Sequence, residues 1–468
     1  MEYFLTRWCL QKGLAFLYCI AFLICINQYR ALLGKEGIVP IERWIRKARF
    51  WQVPSVFVFY CSDRFLQVLS WVGFFLSLLA LGGFFEQYGL FVSMGGWFLL
   101  WAIYQSFVNA GDVFYSFGWE ILLLEAGFLA IFLGSNDVAP SVILIWLYRF
   151  LLFRVMLGAG LIKLRCDSCW KDLTSLLFHY ETQPLPGPLS RFFHRLPVFI
   201  HKSSVIFNHF IEVIIPFFFF WPGKMAAIAG GLTFFFQFML VISGNFSWLN
   251  HITMVLCFAC WNDLVLSWIF PFFRVVKQVN PNIYYDILTA LLTLLIAWLS
   301  LKPLRNLCSK RQVMNCSFDP LHIVNTYGAF GSVTRVRKEI IIEGTEDLVI
   351  TENTKWLPYE FKGKPGDITR HPSQVSPYHY KIDWQMWFAA MSNYNLHPWF
   401  LPFIQKLLEG NLAVLSLLKT NPFPQKNPQF IRAELYEYHF SSKKEEKEAF
   451  WLRKRLGPYM HPICLKKK

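Results

Sequence analysis

Long apolar runs fill the first two thirds of the chain, and short polar segments separate them. A helix that crosses a bilayer needs about 20 mainly apolar residues. The runs that approach this length lie at residues 10–33, 65–85, 88–108, 119–134, 141–162, 204–221, 225–243, 249–270 and 284–302. Because some runs are short or carry charges, we expect about five to nine membrane-embedded helices, of which the first is a signal anchor.

Beyond residue 303 these runs end and the pattern of a soluble domain begins. Alternating β-branched and aromatic residues predict strands at 333–342, 356–361 and 431–440. Helical periodicity predicts one helix over 383–393 and a short helix on each side of Gly410. The Lys- and Glu-rich stretch 441–448 is predicted to form a flexible loop.

The two patterns predict a polytopic α-helical membrane protein followed by a soluble C-terminal domain of α+β or β-sandwich-like type. We divide the chain accordingly into a multi-span membrane domain, residues 1–303, and a soluble domain, residues 304–468. Composition supports this division, because only 16% of the residues are charged, against about 25% in soluble domains. The net charge of +15 predicts contact with membrane lipid at the helix ends and not with nucleic acid, since no groove-reading motif accompanies it.

Four ionisable residues lie inside predicted spans. Glu120 and Glu125 share one helix, and Arg149 and Arg154 share another. Charges at membrane depth are expensive and usually pair within the bundle. Static Glu–Arg pairs that fix the helix register are the favoured interpretation, and a polar substrate cavity or a proton path is the alternative.

The connector that follows the fifth run is unusually rich in polar, aromatic and proline residues, which indicates a folded element. Lys163, His179 and Glu181 extend the candidate buried polar network into this connector. Its histidines do not show the spacing of a zinc site, so no metal is predicted. The chain also lacks a nucleophile elbow and a phosphate-binding loop, and we predict no cofactor and no catalytic residue.

Cysteine spacing suggests two pairs. Cys166 and Cys169 have the Cys-x-x-Cys spacing of a redox dithiol, although two independent thiols or a structural disulfide are favoured there. Cys308 and Cys316 flank the start of the soluble domain and are the expected disulfide if that domain is lumenal. Asn315 begins an Asn-Cys-Ser sequon and is the expected glycosylation site under the same condition.

Several long strings of residues resemble one known family. They include SFGWEILLLEAGFLAIF at 116–132, FNHFIEVIIPFF at 207–218, SGNFSWLNHITMV at 243–255, LHIVNTYGAFGSVT at 321–334 and SPYHYKIDWQMWFAA at 376–390. In these sequence strings the chain resembles the lipase maturation factors, and the resemblance covers nearly its whole length. Cys166 stands where the family usually has glycine, so a Cys-x-x-Cys mechanism would be peculiar to this chain.

The resemblance implies a multi-pass protein of the endoplasmic reticulum membrane that helps dimeric secreted lipases to fold and assemble. The implied clients are lipoprotein lipase, hepatic lipase and endothelial lipase, and other lumenal chaperones are implied partners. The resemblance also implies a cytosolic amino terminus and a lumenal C-terminal domain. The basic loop at 34–64 favours the opposite orientation by the positive-inside rule, and we follow the family.

The family's lipase contact is placed in the soluble region, where exposed aromatic side chains would suit a partly folded client. The candidates are Trp384, Trp387, Phe388 and Trp399, for which ordinary core packing is the competing and favoured interpretation. The chain ends short of the family's usual tail, which would shorten this client surface.

A membrane-embedded modifying enzyme is the alternative function. The helical part is broadly similar to the vitamin K-dependent carboxylases, a likeness of fold that carries little weight on function. This alternative predicts a closed polar cavity around Glu125, Arg154, Lys163 and His179.

Overall fold

The computed structural model describes residues 2–271, 282–442 and 449–465. Its first part is helical and its last part mixes strands with helices. The helices of the first part are α1 (Phe4–Ile24), α2 (Arg30–Leu33), α3 (Glu42–Ile45), α4 (Asp63–Gly82), α5 (Phe84–Gln87), α6 (Leu90–Ala110), α7 (Gly118–Ala130), α8 (Val142–Cys166), α9 (Ser168–Lys171), α10 (Leu176–Thr182), α11 (Ser190–His194), α12 (Val198–His209), α13 (Lys224–Ser243), α14 (Leu249–Cys257), α15 (Asp263–Ile269), α16 (Ile283–Leu299) and α17 (Leu301–Cys308). Two π-helical segments, Cys25–Tyr29 and Phe210–Ile214, interrupt long helices.

Seven helices of the described chain are long and apolar enough to cross a membrane. They are Phe4–Leu33, Asp63–Gly82, Leu90–Ala110, Val142–Cys166, Val198–Phe220, Lys224–Ser243 and Ile283–Cys308. The predicted polytopic helical region is therefore confirmed. The run 119–134 forms the short, almost wholly buried helix α7, and the run 249–270 splits into α14 and α15, where Asn262 caps the second helix.

Contacts made by the loops and helix ends show which elements lie at each end of the bundle. At one end, the Phe4 amide donates to Asp263, Arg7 donates to the Val138 carbonyl, and the Tyr285 hydroxyl donates to the carbonyl of residue 132. The contacts of the C-terminal domain are made at the other end, where the Gln28 side chain near the end of the first span donates to the His379 carbonyl. The start of the first helix and the C-terminal domain therefore lie at opposite ends of the bundle.

The C-terminal part is an α+β domain. It contains β1 (Arg337–Thr345), β2 (Leu357–Pro358), β3 (Glu360–Phe361), α18 (Lys381–Ala390), α19 (Phe400–Leu408), α20 (Leu412–Leu415), β4 (Leu418–Thr420), β5 (Phe430–Phe440) and β6 (Trp451–Ile463). Antiparallel pairing gives one sheet of order β2-β1-β5-β6 and a second sheet of β3 and β4. The predicted C-terminal domain with β-strands is confirmed.

The predicted elements of this domain are found with several differences. The strand predicted at 356–361 is divided into β2 and β3, which belong to different sheets, and β4 was not predicted. Strand β1 begins at Arg337 and not at residue 333, because the Val333 amide donates instead to Asp167 at the end of α8. Strand β6 was not predicted, since Pro458 and Pro462 break the usual strand pattern, yet β5 pairs with it along its length. Of the loop predicted at 441–448, residues 443–448 lie outside the described residues.

One continuous hydrophobic core joins the bundle to the C-terminal domain. Trp119 of α7 packs against Trp384 of α18, with ring centroids 4.9 Å apart. The predicted division at residue 303 falls within the helical stretch Ile283–Cys308, and it stays a prediction.

Candidate functional site

The contact between the bundle and the C-terminal domain is built around a buried ion pair. Glu120, in the first turn of α7, accepts a hydrogen bond from Lys381 Nζ at 2.7 Å, and both side chains are fully buried. The Tyr104 hydroxyl donates to the other carboxylate oxygen of Glu120. Lys381 Nζ also lies 3.5 Å from the centre of the Tyr115 ring. A lysine of the C-terminal domain thus neutralises a glutamate of the bundle, and we call this pair and its neighbours the domain contact.

Two hydrogen bonds of the Gln28 side chain hold the start of α18 against the first span. Gln28 lies in the π-helical segment Cys25–Tyr29, and its Nε2 donates to the His379 backbone carbonyl at 2.7 Å. Gln28 Oε1 accepts from the Lys381 backbone amide at 3.1 Å. Burial, and next the charge of Lys381, lower the pKa of His379 to about 3. The imidazole is therefore neutral in the folded protein at neutral pH.

The second glutamate of α7 joins the bundle to the segment that follows the last span. Glu125 forms a buried ion pair with Arg154. It also accepts from the Tyr327 hydroxyl at 2.6 Å and from the Asn325 amide at 2.9 Å. Arg154 donates in turn to the Asn325 carbonyl at 2.8 Å. This cluster extends the domain contact about one and a half turns along α7.

The structure brings Glu125 and Arg154 together but separates Glu120 from Arg149. Helices α7 and α8 are antiparallel, so the earlier glutamate and the earlier arginine lie towards opposite ends of the bundle. Arg149 instead donates to the carbonyls of Ala259 at 2.8 Å and Phe219 at 3.2 Å. The pairing that the sequence suggested holds for one pair only.

The remaining members of the predicted network make separate contacts. Lys163 Nζ lies 2.6 Å from Glu212 Oε1 and 3.0 Å from Asn208 Oδ1, inside the bundle. The Phe440 amide and His439 donate to Glu181, at 2.7 Å and 3.1 Å, which fastens the connector to β5.

His179 is enclosed by rings and by the bundle. It stacks on Phe246 and meets the edge of Phe330, with centroids 5.9 Å and 5.2 Å apart. Burial, and then the charge of Lys163, lower its pKa to about 4. The cavity beside Arg154 has a volume of about 10 Å³, roughly the space of one water molecule. The candidate residues therefore make separate contacts, and they do not together line the single closed polar cavity that the enzyme alternative predicts.

Arg337 is a further link between the domain and the connector. Its guanidinium is fully buried at the start of β1 and donates to the carbonyls of Glu181, Gln183 and Pro184. It also pairs with Glu339 on the same strand at 2.5 Å.

All eleven cysteines are free thiols. The predicted Cys308–Cys316 disulfide is therefore not formed: Cys308 ends α17 at the surface, whereas the amide of Cys316 is bound to Thr326 Oγ1 at 3.0 Å. Cys166 and Cys169, the candidate redox pair, are two separate thiols, of which Cys166 is exposed and Cys169 is buried. Burial, assisted by Asp167, raises the pKa of Cys169 to about 11, which disfavours a reactive thiolate.

The aromatic residues proposed for client contact serve mainly to pack the domain. Trp384 and Trp399 are buried, in agreement with the favoured interpretation of core packing, so neither side chain is exposed to a client. The rings of Trp384, Trp119 and His379 all contact one another, with centroids 4.9 to 5.8 Å apart. Trp387 and Phe388 are half-buried at its side. Large aromatic side chains supply much apolar area, and here that area joins α18 to the bundle.

Sequence reasoning missed the residues of the C-terminal domain that complete this contact: Lys381, His379, Asn325, Tyr327 and Arg337. A signal was present, because a buried glutamate at membrane depth requires a partner, and Lys381 is the single basic residue of α18. Among residues 2–271, 282–442 and 449–465, no group of three His, Cys, Asp or Glu side chains is placed to hold a metal ion.

The fold and the domain contact define a multi-pass membrane protein that carries an α+β domain fastened to one end of its helical bundle. The sequence model of the lipase maturation factor transmembrane domain matches residues 5–268. The model of the lipase maturation factor C-terminal domain matches residues 323–461. The chain therefore belongs to the lipase maturation factor family, as its sequence motifs suggested.

Relatives match over almost the full chain. The Mus musculus protein Lipase maturation factor 1 is 41% identical over 99% of this chain and 88% of its own length. The Homo sapiens protein of the same name is 40% identical over 99% of this chain and 88% of its own length. Lipase maturation factor 2 of Xenopus tropicalis is 28% identical over 97% of this chain and 81% of its own length. No solved structure matches the chain.

Proposed function

We propose that this chain promotes the maturation of secreted lipases and acts by non-covalent contact and not as an enzyme. The observation that carries the proposal is the 41% identity, over 99% of the chain, to a protein named Lipase maturation factor 1. Both regions of the chain share in this likeness, since the two family models match 5–268 and 323–461. We infer that the bundle and the C-terminal domain act as one body.

A surface that suits a partly folded client lies on the hairpin between β1 and β2. Leu348 and Val349 are 75% and 70% exposed there. Folding intermediates expose apolar surface, so a projecting apolar loop is a reasonable first contact. Arg337 lies at the opposite end of β1, about 26 Å away along the strand. We propose residues 346–352 as the client loop, in place of the buried Trp384 and Trp399.

We propose that the protein lies in the endoplasmic reticulum membrane, with the first helix starting in the cytosol and the C-terminal domain in the lumen. The start of the first helix and the C-terminal domain lie at opposite ends of the bundle, which supports their being on opposite sides of the membrane. Asn315 is exposed at the end that carries the C-terminal domain, so its sequon would be accessible in the lumen. Sensitivity of the expressed chain to a glycosidase, lost in N315Q, would support the orientation, and a chain without glycan would count against it.

The proposed clients are the dimeric secreted lipases: lipoprotein lipase, hepatic lipase and endothelial lipase. Lumenal chaperones are proposed to assist in the same compartment. In a secreted lipase that folds by way of an aggregation-prone intermediate, aggregation competes with folding. Such a client gains most from a binding surface that is fixed to the membrane.

A rescue assay in cells that lack the endogenous factor tests this function. The chain is expressed with lipoprotein lipase or with an unrelated secreted enzyme, and secreted activity is measured per unit of secreted protein. We expect recovery for the lipase alone. An abundant, membrane-inserted chain that leaves the lipase inactive would contradict the proposal.

A further inference from the structure

The loop between the first two spans encloses a cavity at the end of the bundle that carries the C-terminal domain. The cavity has a volume of about 460 Å³, within the range of about 300–1,000 Å³ that is usual for small-molecule sites. Its apolar walls include Leu33, Ile41 and Leu66, which are buried. The amino-terminal part of α4 and the short helix α3 form its sides.

Positive charge dominates the polar part of this cavity. Lys35, Arg46 and Arg64 line it together with the carboxylates Glu42 and Asp63. Both carboxylates already have cationic or amide partners within the protein. Arg46 binds Glu42, and Asp63 accepts the Lys35 amide at 2.8 Å.

The neighbouring Arg30 adds a further positive charge beside the cavity, where its Nε lies 3.5 Å from Asp63. Among the described residues, the side chains of Lys35 and Arg64 have no hydrogen-bond or ion-pair partner, and both are exposed. The cavity therefore retains cationic groups suited to one phosphate.

An apolar stripe runs from this charged rim along the lipid-facing side of the second span. Val68, Trp71 and Phe75 follow Arg64 at intervals of four, three and four residues, which places all four on one face of α4. Val68 and Phe75 are each 57% exposed, and the Trp71 and Phe75 rings stack at 5.8 Å. A cationic site above an apolar track complements a phospholipid, whose phosphate is anionic and whose acyl chains are apolar.

Exposed aromatic residues mark the level of the headgroups at the same corner. Trp51 and Phe59 are 84% and 74% exposed, and Tyr60 lines the cavity. Tryptophan and tyrosine are enriched where the apolar core of a membrane meets its headgroups. The cavity thus lies where a lipid phosphate lies, and not above the membrane.

We propose that this cavity is a binding site for one anionic glycerophospholipid. Its phosphate would lie between Lys35 and Arg64, beside the Arg46–Glu42 ion pair, and one acyl chain would follow Val68, Trp71 and Phe75. Asn411 of α20 donates to the Glu36 carbonyl at 3.2 Å, so a lipid held here would also brace the C-terminal domain.

Native mass spectrometry of the full chain, released from nanodiscs of phosphatidylcholine and phosphatidylglycerol, tests the site. We expect selective retention of phosphatidylglycerol. The double variant K35Q/R64Q should reduce that retention about thirtyfold, because each of the two cations contributes on the order of 1 kcal/mol beside an anionic headgroup and every 1.4 kcal/mol is tenfold. The matched control is K47Q, an exposed lysine of the same loop outside the cavity.

The alternatives give different results. Equal losses in K35Q/R64Q and K47Q would show only general surface charge and would overturn the site. Equal retention of phosphatidylcholine would overturn the preference for an anionic headgroup. Displacement of the lipid by soluble glycerol phosphate at comparable concentration would point to a water-soluble phosphate ligand and overturn the lipid proposal. Retention can be measured whether or not lipases are clients.

Discussion

The C-terminal domain presents two surfaces of opposite character. Towards the bundle it buries a lysine, a histidine and a tryptophan around Glu120. On the β1–β2 hairpin it exposes Leu348 and Val349. The comparison indicates that the buried polar and aromatic side chains of the domain fix its position, whereas the hairpin that we propose as the client loop is apolar and exposed.

The largest effect is expected at the buried ion pair. K381M leaves the Glu120 carboxylate buried without its cation, and losing one partner of a buried pair costs about 3–5 kcal/mol. We expect a clear loss of thermal stability in detergent. The double variant E120Q/K381M should be more stable than K381M alone, because it leaves no unpaired charge.

Lys406 supplies the control for this substitution. Its partners Glu36 and Glu409 are 71% and 32% exposed, so neither carboxylate is left buried in K406M, and the free energy of unfolding should change by no more than about 1 kcal/mol. Equal destabilisation by K381M and K406M would contradict the importance of the buried pair.

Acid should weaken the contact between the two regions. The pKa of His179 falls from 6.5 to about 4 on folding, and that of His379 to about 3. Unfolded histidine therefore takes up a proton between pH 6.5 and 4 while the folded one does not. The stability is fully present above pH 6.5 and is lost as pH falls towards the folded pKa, by about 2 kcal/mol per histidine at pH 5.

Thermal melting between pH 7.5 and 5 measures this dependence. The H179Q variant removes one titrating group and should show a shallower decline than the unsubstituted chain. An unchanged slope in H179Q would show that this histidine does not carry the effect.

A smaller effect is expected from one hydroxyl. Y327F removes the hydrogen bond from Tyr327 to Glu125 but keeps the ion pair with Arg154, and we expect a loss of about 1.5–3 kcal/mol. Tyr359 is a matched control, because its buried hydroxyl has no partner among the described residues. Y359F should therefore be neutral or slightly stabilising, and a larger loss in Y359F than in Y327F would contradict this account of Glu125.

The smallest effect on stability is expected on the exposed surface. The variant L348S/V349S should alter the free energy of unfolding by no more than about 0.5 kcal/mol while lowering the specific activity of secreted lipase. Leu412 is 83% exposed on α20, and L412S serves as the control that should leave lipase maturation unchanged. Full lipase activity with L348S/V349S would remove the hairpin as the client loop.

Apolar run length was sufficient to predict the architecture of the bundle, because lipid imposes a fixed length on a spanning helix. Strand β5 and helices α18 to α20 were also found by periodicity, although their bounds moved by a few residues. Strand β6 was hidden by its prolines and basic residues, and only its pairing with β5 defines it.

The partners across the domain contact could not be predicted in the same way. Glu120 and Lys381 are 261 positions apart, and nothing in the spacing of either residue points to the other. Glu125 and Arg154 were easier, since both lie on adjacent antiparallel helices. Burial of Trp384 and Trp399 also depends on long-range packing, so composition could not distinguish a client surface from a core.

The role of the domain contact in lipase maturation is tested most directly by secreted lipoprotein lipase activity in factor-deficient cells that express the chain, K381M or E120Q/K381M. We expect full rescue by the unsubstituted chain, little by K381M, and partial recovery by the double variant. Full rescue by K381M, at equal abundance of the membrane-inserted protein, would contradict the claim that the domain contact holds the two regions together for function.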